Sequence, residues 1–239
     1  ILNHLSKEVE FKDITDDIAC LGVFGPKSRD LMSKLSNDDF SNANFKFGNS
    51  KKIKINNKHI WAQRLSYVGE LGFELYIRMN ESKEIYNLIT DKGKEFNLSN
   101  CGMLAMDTMR MESGFLHWGH DISPEENQFD SKLSFAISFK KNIDFIGKEA
   151  LMKIKDKELD KRLMMFTLKE NKPGEPLLLH DEPIYLDNKI IGHTTSGNYS
   201  FCYKKNLSFG YVNSGNSYET LKNKNIFIEV EKKKYPVNI

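Results

Sequence analysis

Residues 64–77 alternate apolar and polar positions at both ends and are interrupted in the middle by Gly69 and Gly72. Period-two alternation predicts strand. Glycine there predicts a positive φ or the close approach of another group, so the stretch reads as strand, tight bend, strand. After the bend, Phe73, Leu75 and Ile77 share one face, and Glu74 and Tyr76 the other. A carboxylate with tyrosines nearby on a stiff strand suits a planar ligand that donates hydrogen bonds. An exposed edge strand with ordinary polar residues would give the same pattern.

The remaining pattern falls into two textures. Residues 8–11 alternate. Residues 18–24 form a continuous apolar run short enough for a buried strand, and Gly25-Pro26 then starts a helix with Leu31, Met32 and Leu35 on its inner stripe. Strand, Gly-Pro, helix can mimic a phosphate-binding turn, but there is no GxGxxG or lysine–serine pair, so the turn reads as structural. Residues 37–49 read as loop. Ile53 and Ile55 alternate with lysines up to a two-residue hairpin turn at Asn56-Asn57, and His59-Ile60-Trp61-Ala62 leads back to the central stretch. Residues 81–96 carry Ile85, Leu88 and Ile89 at helical spacing, and Ser99 or Asn100 caps a further helix that Gly114 ends. Residues 124–128 read as a polar turn, and Leu133, Phe135, Ile137 and Phe139 alternate as a half-buried strand. Residues 148–155 read as a helix presenting Ala150, Leu151 and Ile154. The charged run 156–161 is the best linker. Beyond it short strands at 163–168, 184–186, 189–193, 207–212 and 226–230, separated by turns such as Pro173-Gly174 and Asp187-Asn188, predict a small all-β barrel or sandwich. The expectation is an α+β fold, with residues 1–157 as one region and 158–239 as a C-terminal β-barrel domain.

Composition narrows the function. A chain of 239 residues buries roughly 70–75% of its unfolded surface and needs no disulfide or metal staple. Its 35 basic and 33 acidic residues leave a formal charge of +2, which argues against a nucleic-acid binder relying on a basic surface. The short lysine clusters at 51–54 and 232–234 read as solvated strand edges. Three cysteines cannot all pair and show no CxxC spacing, which points to a reducing compartment with free, mostly buried thiols. No apolar run approaches the roughly 20 residues that span a bilayer, so no membrane partner is expected.

Tyr67-Val68-Gly69-Glu70-Leu71-Gly72-Phe73-Glu74 resembles the folate-site motif of the glycine cleavage T-protein (aminomethyltransferase) family. The chain is more similar still to the tetrahydrofolate-binding half of dimethylglycine and sarcosine dehydrogenases. Residues 101–114, 117–122, 144–151 and 192–197 resemble further family blocks, in family order and over nearly the whole chain. The resemblance implies a T-protein-like folate-binding domain followed by a C-terminal barrel. The chain opens Ile1-Leu2-Asn3-His4-Leu5, an apolar helical stretch without methionine, whereas family members carry more of the folate domain before this point. The expectation is therefore an incomplete folate domain whose N-terminal part lies elsewhere. Uncovered apolar faces around residues 18–24 would then recruit that segment or a partner subunit.

The resemblance also assigns chemistry. The glutamate matching Glu74 holds the amino-pyrimidine edge of the pterin, where adjacent N–H donors meet a carboxylate fork. Tyr67 lies in the same site by resemblance, to stack or hydrogen-bond. Glu70 sits in the bend and could exchange roles with Glu74, which we favour. An arginine handling the folate tail in the T-protein is Met106 here, a departure toward the dehydrogenase branch that leaves the tail contact unassigned. Phe115 stands where the T-protein often has tyrosine. Asp107 and Arg110, at i, i+3, read on their own as a local ion pair.

His117-Trp118-Gly119-His120-Asp121 superficially reads as a metal site or a His–Asp pair. Zinc wants three or four ligands, no Cys/His cluster completes such a set, and no nucleophile elbow is present, so no metal is assigned. The loop is instead expected to line or close the folate channel, with Trp118 packing. The implied cofactor is tetrahydrofolate, with FAD expected only on an absent N-terminal domain or a partner chain. A flavin domain would oxidise an N-methyl amine substrate, and tetrahydrofolate would take the one-carbon unit as 5,10-methylenetetrahydrofolate. The acidic residue assisting proton transfer is expected in the missing N-terminal part. The implied location is cytoplasmic, or the mitochondrial matrix in a eukaryote. Alternatives of the same fold are a stand-alone aminomethyltransferase, a folate-dependent demethylase and, outside enzymes, a folate-binding iron–sulfur assembly factor, whose cysteine motif is not seen here.

Overall fold

A computed structural model describes residues 4–170 and 172–239. Ile1–Asn3, and with them most of the expected helical opening, lie outside the described residues. The chain divides into two compact units, Ile1–Gly102 and Met103–Ile239.

The first unit is a four-stranded antiparallel sheet with two helices on one face. Its strands are β1 (Ile18–Phe24), β2 (Ser50–Ile55), β3 (Lys58–Gln63) and β4 (Gly72–Arg78), in the order β1-β4-β3-β2. The β2–β3 hairpin turns at Asn56 and Asn57, both at positive φ, the conformation that makes asparagine the favoured non-glycine residue in a two-residue turn. It sets Ile53 opposite Ile60. The helices α1 (Ser28–Leu35) and α2 (Met79–Gly93) bury Leu31, Met32, Ile85 and Ile89 against Ile53, Ile60, Phe73, Leu75 and Ile77. Pro26 does not open α1: the cap is Lys27, so proline falls just outside the helix. The loop 37–49 contributes to the core, because Phe40 packs edge-on to Phe73 at 5.4 Å and Phe45 lies 5.5 Å from the same ring. The strand expected at 18–24 forms, but β1 is a sheet edge that buries only Val23 fully.

The second unit is built on a closed, all-antiparallel six-stranded barrel. Its strands are β5 (Lys161–Leu168), β6 (Pro183–Leu186), β7 (Lys189–Ser200), β8 (Lys205–Asn213), β9 (Ile226–Val230) and β10 (Lys233–Asn238), closing in the order β10-β5-β8-β7-β6-β9. Closure removes free edges. Met164, Phe166 and Leu168 of β5 point into the barrel with Ile184, Ile191, Val212, Ile226 and Ile228. Leu163, on the opposite face, joins Leu207, Phe209 and Tyr211 in a second apolar cluster that takes Met111 from α3 (Met103–Glu112). Two apolar layers, one inside the barrel and one under the helix, explain why β5 is nonpolar on both faces.

Three local expectations are corrected. Ser99 and Asn100 do not cap α3, which begins at Met103; the Asn100 amide instead donates to Tyr86 Oη at 2.7 Å. The alternating run 133–139 is not a strand. It holds a 3-10 turn at Ser134–Ala136, follows Lys132 at φ +60°, and leaves Phe135 84% exposed. Alternation makes a strand only where a neighbouring strand supplies hydrogen bonds, and no strand pairs with this run among the described residues. The helix at 148–155 forms as α4 (Lys148–Ile154), but its Ala150 faces solvent.

Candidate functional site

The first half of the central stretch is a pinned loop rather than a strand; among the described residues β4 begins only at Gly72. Arg64 donates from its backbone to Asn49 O at 2.9 Å and from Nη1 to Phe45 O at 2.7 Å. At the other end Leu71 O accepts from Gly25 N at 2.8 Å and from Ser28 Oγ at 3.1 Å. Between these anchors Gly69 turns the chain at φ +74°, a conformation that costs glycine little. Gly72 is extended, and its reason is space. A Cβ there would lie 2.3 Å from Phe24 Cδ1, and one on Gly22 would lie 2.5 Å from Phe24 Cε2. The ring of Phe24 therefore lies across both glycines on the face turned away from the core.

That outer face carries the chemistry. Residues directly opposite in register share a face, so β1 brings Cys20, Gly22 and Phe24 beside Tyr76, Glu74 and Gly72 of β4, while β3 brings Gln63 and Trp61 beside Glu74 and Tyr76. Tyr76 Oη donates to Glu74 Oε2 at 2.7 Å and lies 3.5 Å from Gln63 Oε1. The hydrogen bond to Glu74, with burial and the nearby charge adding to it, pushes the Tyr76 hydroxyl up to about 12. The three thiols are free and exposed rather than buried, but partial burial of the Cys20 sulfur and the Glu74 charge still raise that thiol. Among the described residues Glu74 Oε1 accepts no hydrogen bond and Oε2 accepts only that of Tyr76, which leaves acceptor sites on both oxygens.

The expected site residues fall in both units. Glu74 is on β4, half-buried, with Tyr67 and Glu70 in the loop before it and Glu70 exposed. Phe115 and Trp118 belong to the second unit, after α3; Trp118 is 65% exposed and does not pack as expected. Tyr76, Gln63 and Phe24 join this face beyond the residues expected from the sequence. Period-two alternation already places Tyr76 beside Glu74, whereas Gln63 and Phe24 come from neighbouring strands and depend on register.

In the second unit the remaining singled-out residues meet at one buried ion pair. Arg110 is 1% exposed and Asp121 0%. The Arg110 guanidinium binds Asp121 Oδ2, Asp107 Oδ1 at 2.7 Å and Ser196 Oγ at 2.8 Å, and stands over the Phe209 ring. Thr195 Oγ1 donates to Asp121 Oδ1 at 2.6 Å, His117 N to its Oδ2 at 2.9 Å, and Tyr211 Oη to its carbonyl at 2.8 Å. The Asp121 carboxylate thus faces arginine and threonine, not an imidazole, and the His–Asp reading of this loop gives way to a structural one. Close by, Glu112 accepts from Ser200 Oγ at 2.8 Å and from Cys202 N at 3.0 Å. Burial opposes its ionisation, but these bonds outweigh burial and hold the carboxyl below its ordinary range.

The sequence matches the family model of the GCVT N-terminal domain over residues 1–141 and that of the glycine cleavage T-protein C-terminal barrel domain over residues 161–239. The chain belongs to the glycine cleavage T-protein family. It is 40% identical over 205 residues to human mitochondrial dimethylglycine dehydrogenase, covering 86% of this chain and 23% of that protein. It is 34% identical over 207 residues to an aminomethyltransferase of Thermoanaerobacter pseudethanolicus, covering 87% of this chain and 55% of the relative. The solved structure of glycine cleavage system aminomethyltransferase T from Bartonella henselae superposes with a TM-score of 0.75 at 19% identity, over 93% of this chain and 58% of the other, a likeness of fold. The chain thus spans a quarter to a little over half of the proteins it matches. The T-protein fold is the expected one: a mixed sheet-and-helix region followed by the C-terminal barrel. No helix among the described residues is long and apolar enough to cross a membrane.

Proposed function

We propose that this chain is the tetrahydrofolate-binding part of a dimethylglycine- or sarcosine-dehydrogenase-like enzyme. The observation that carries the reading is the Glu74 carboxylate, on the outer sheet face with one oxygen held by Tyr76 and the other open. The residues present fit the group. A pterin offers two adjacent N–H donors in a plane, a carboxylate accepts both in a fork, and Phe24, laid flat across Gly22 and Gly72, offers an apolar surface beside it. Tyr67 and Glu70, in the loop before β4, are assigned to the same ligand by the family motif. When bound, tetrahydrofolate supplies the nitrogens that take a one-carbon unit from an N-methyl amine, giving 5,10-methylenetetrahydrofolate. What this chain's residues do is bind and orient.

The oxidation that precedes the transfer is assigned to FAD on another domain or a partner chain. The 40% identity to dimethylglycine dehydrogenase favours this branch over a stand-alone aminomethyltransferase. We place the division between the folate-binding region and the barrel domain at residues 157 and 158, in the interval between the two family-model matches. A partner segment along β1 is supported by that strand's one-sided pairing among the described residues and by the half-exposed Phe11 and Ile14 before it. We infer a cytoplasmic location or, in a eukaryote, the mitochondrial matrix, which the mitochondrial relative supports.

The experiment is a calorimetric titration of the full-length protein with tetrahydrofolate, beside a folate analogue lacking the 2-amino group. Tighter binding of the amino compound supports the reading. Equal affinity for both, or no binding of either, contradicts it.

A further inference from the structure

The proposed function uses Glu74 and leaves Tyr76 beside it without a role, yet the two are joined by a 2.7 Å hydrogen bond on the face where the ligand would lie. Tyrosine has a single hydroxyl proton. At 2.7 Å to the carboxylate and 3.5 Å to Gln63 Oε1, that proton belongs to Glu74. A glutamate on a half-exposed face otherwise samples several rotamers, and ordering it on binding weakens affinity. A bond that orders it beforehand removes part of that cost. The Tyr76 bond takes one lone pair of Oε2 and leaves both of Oε1, so a carboxylate with about four acceptor sites still receives a donor pair.

Resting on the reading of Glu74 as the acceptor for the pterin edge, we propose that Tyr76 is the positioning residue that holds this carboxylate in its binding orientation. Gln63 stands opposite Glu74 in register and near the same hydroxyl. Because the Tyr76 hydroxyl ionises only near pH 12, the clamp persists across the neutral range. The site is therefore selective for ligands presenting adjacent N–H donors, and an acceptor edge is rejected by a carboxylate already oriented as an acceptor.

The test titrates tetrahydrofolate calorimetrically into the full-length protein, Tyr76→Phe, Glu74→Gln and the double variant, with melting temperatures recorded for each. The expected result is an affinity about three- to tenfold weaker in Tyr76→Phe, the size of one neutral-donor bond, at unchanged melting temperature. In the Glu74→Gln background that loss should vanish, because Tyr76 acts through the carboxylate. The same loss in both backgrounds, or a lowered melting temperature in place of weakened binding, overturns the positioning role. Full affinity in Tyr76→Phe beside weakened binding in Glu74→Gln overturns it too, while leaving the Glu74 reading in place. Full affinity in Glu74→Gln overturns both.

Discussion

Arg110 and Asp121 form an ion pair sealed from solvent where α3 meets the barrel, closed over by Thr195 and Ser196 of β7. Taking two charges out of water is costly, and the pair persists because nearly every donor and acceptor on it is met. It is also the point at which the segments 101–114, 117–122 and 192–197 converge.

Removing one member leaves the other buried and unpaired. Asp121→Ala should destabilise by about 3–5 kcal/mol, and Thr195→Val, which deletes one hydrogen bond at nearly constant volume, by about 1–2 kcal/mol. Urea denaturation of both variants against the parent checks this. Equal midpoints for Asp121→Ala and the parent would show that the pair contributes nothing.

The sequence carried the periodic parts of this architecture. The apolar stripes of α1 and α2, the β2–β3 hairpin and the two faces of β4 rest on neighbours a few residues apart, and alternation or helical spacing reveals them. The failures were non-local. Residues 133–139 have the alternation of a strand and lack a partner, which no local pattern reports. Arg110 shows its i, i+3 neighbour Asp107 in the sequence, but its buried partner is 11 residues on and the hydroxyl that completes it 86 residues away. At the candidate site Glu74 was legible from its motif, whereas Phe24 across Gly72 needed the register of β1 on β4.

Glu112 should make stability depend on acid pH. Its folded carboxyl lies below the ordinary value, so its contribution is present above the unfolded pKa and is lost as pH falls through the folded one. Melting temperatures between pH 7 and pH 3 should fall more steeply for the parent than for Glu112→Gln, the gap closing in acid. Parallel curves would remove Glu112 from the account.

Cys20 reports on the candidate site because it lies opposite Tyr76 on the same face. Burial and the Glu74 charge suppress its thiolate, the reactive form. Glu74→Gln removes that charge, so iodoacetamide should label Cys20 faster at pH 8. In the parent, tetrahydrofolate should slow labelling of Cys20 and leave Cys101 and Cys202 unchanged. Uniform labelling with and without tetrahydrofolate would place the ligand away from this face.

The most direct measurement compares tetrahydrofolate affinity in the parent, Glu74→Gln and Glu70→Gln by calorimetry. Glu74→Gln keeps the shape and sets a donor against a donor. The loss of a charge-assisted bond, about 1.5–3 kcal/mol, predicts roughly ten- to a hundredfold weaker binding at unchanged melting temperature, with Glu70→Gln far less affected. Equal affinities for the parent and Glu74→Gln would contradict the assignment of this face as the folate site.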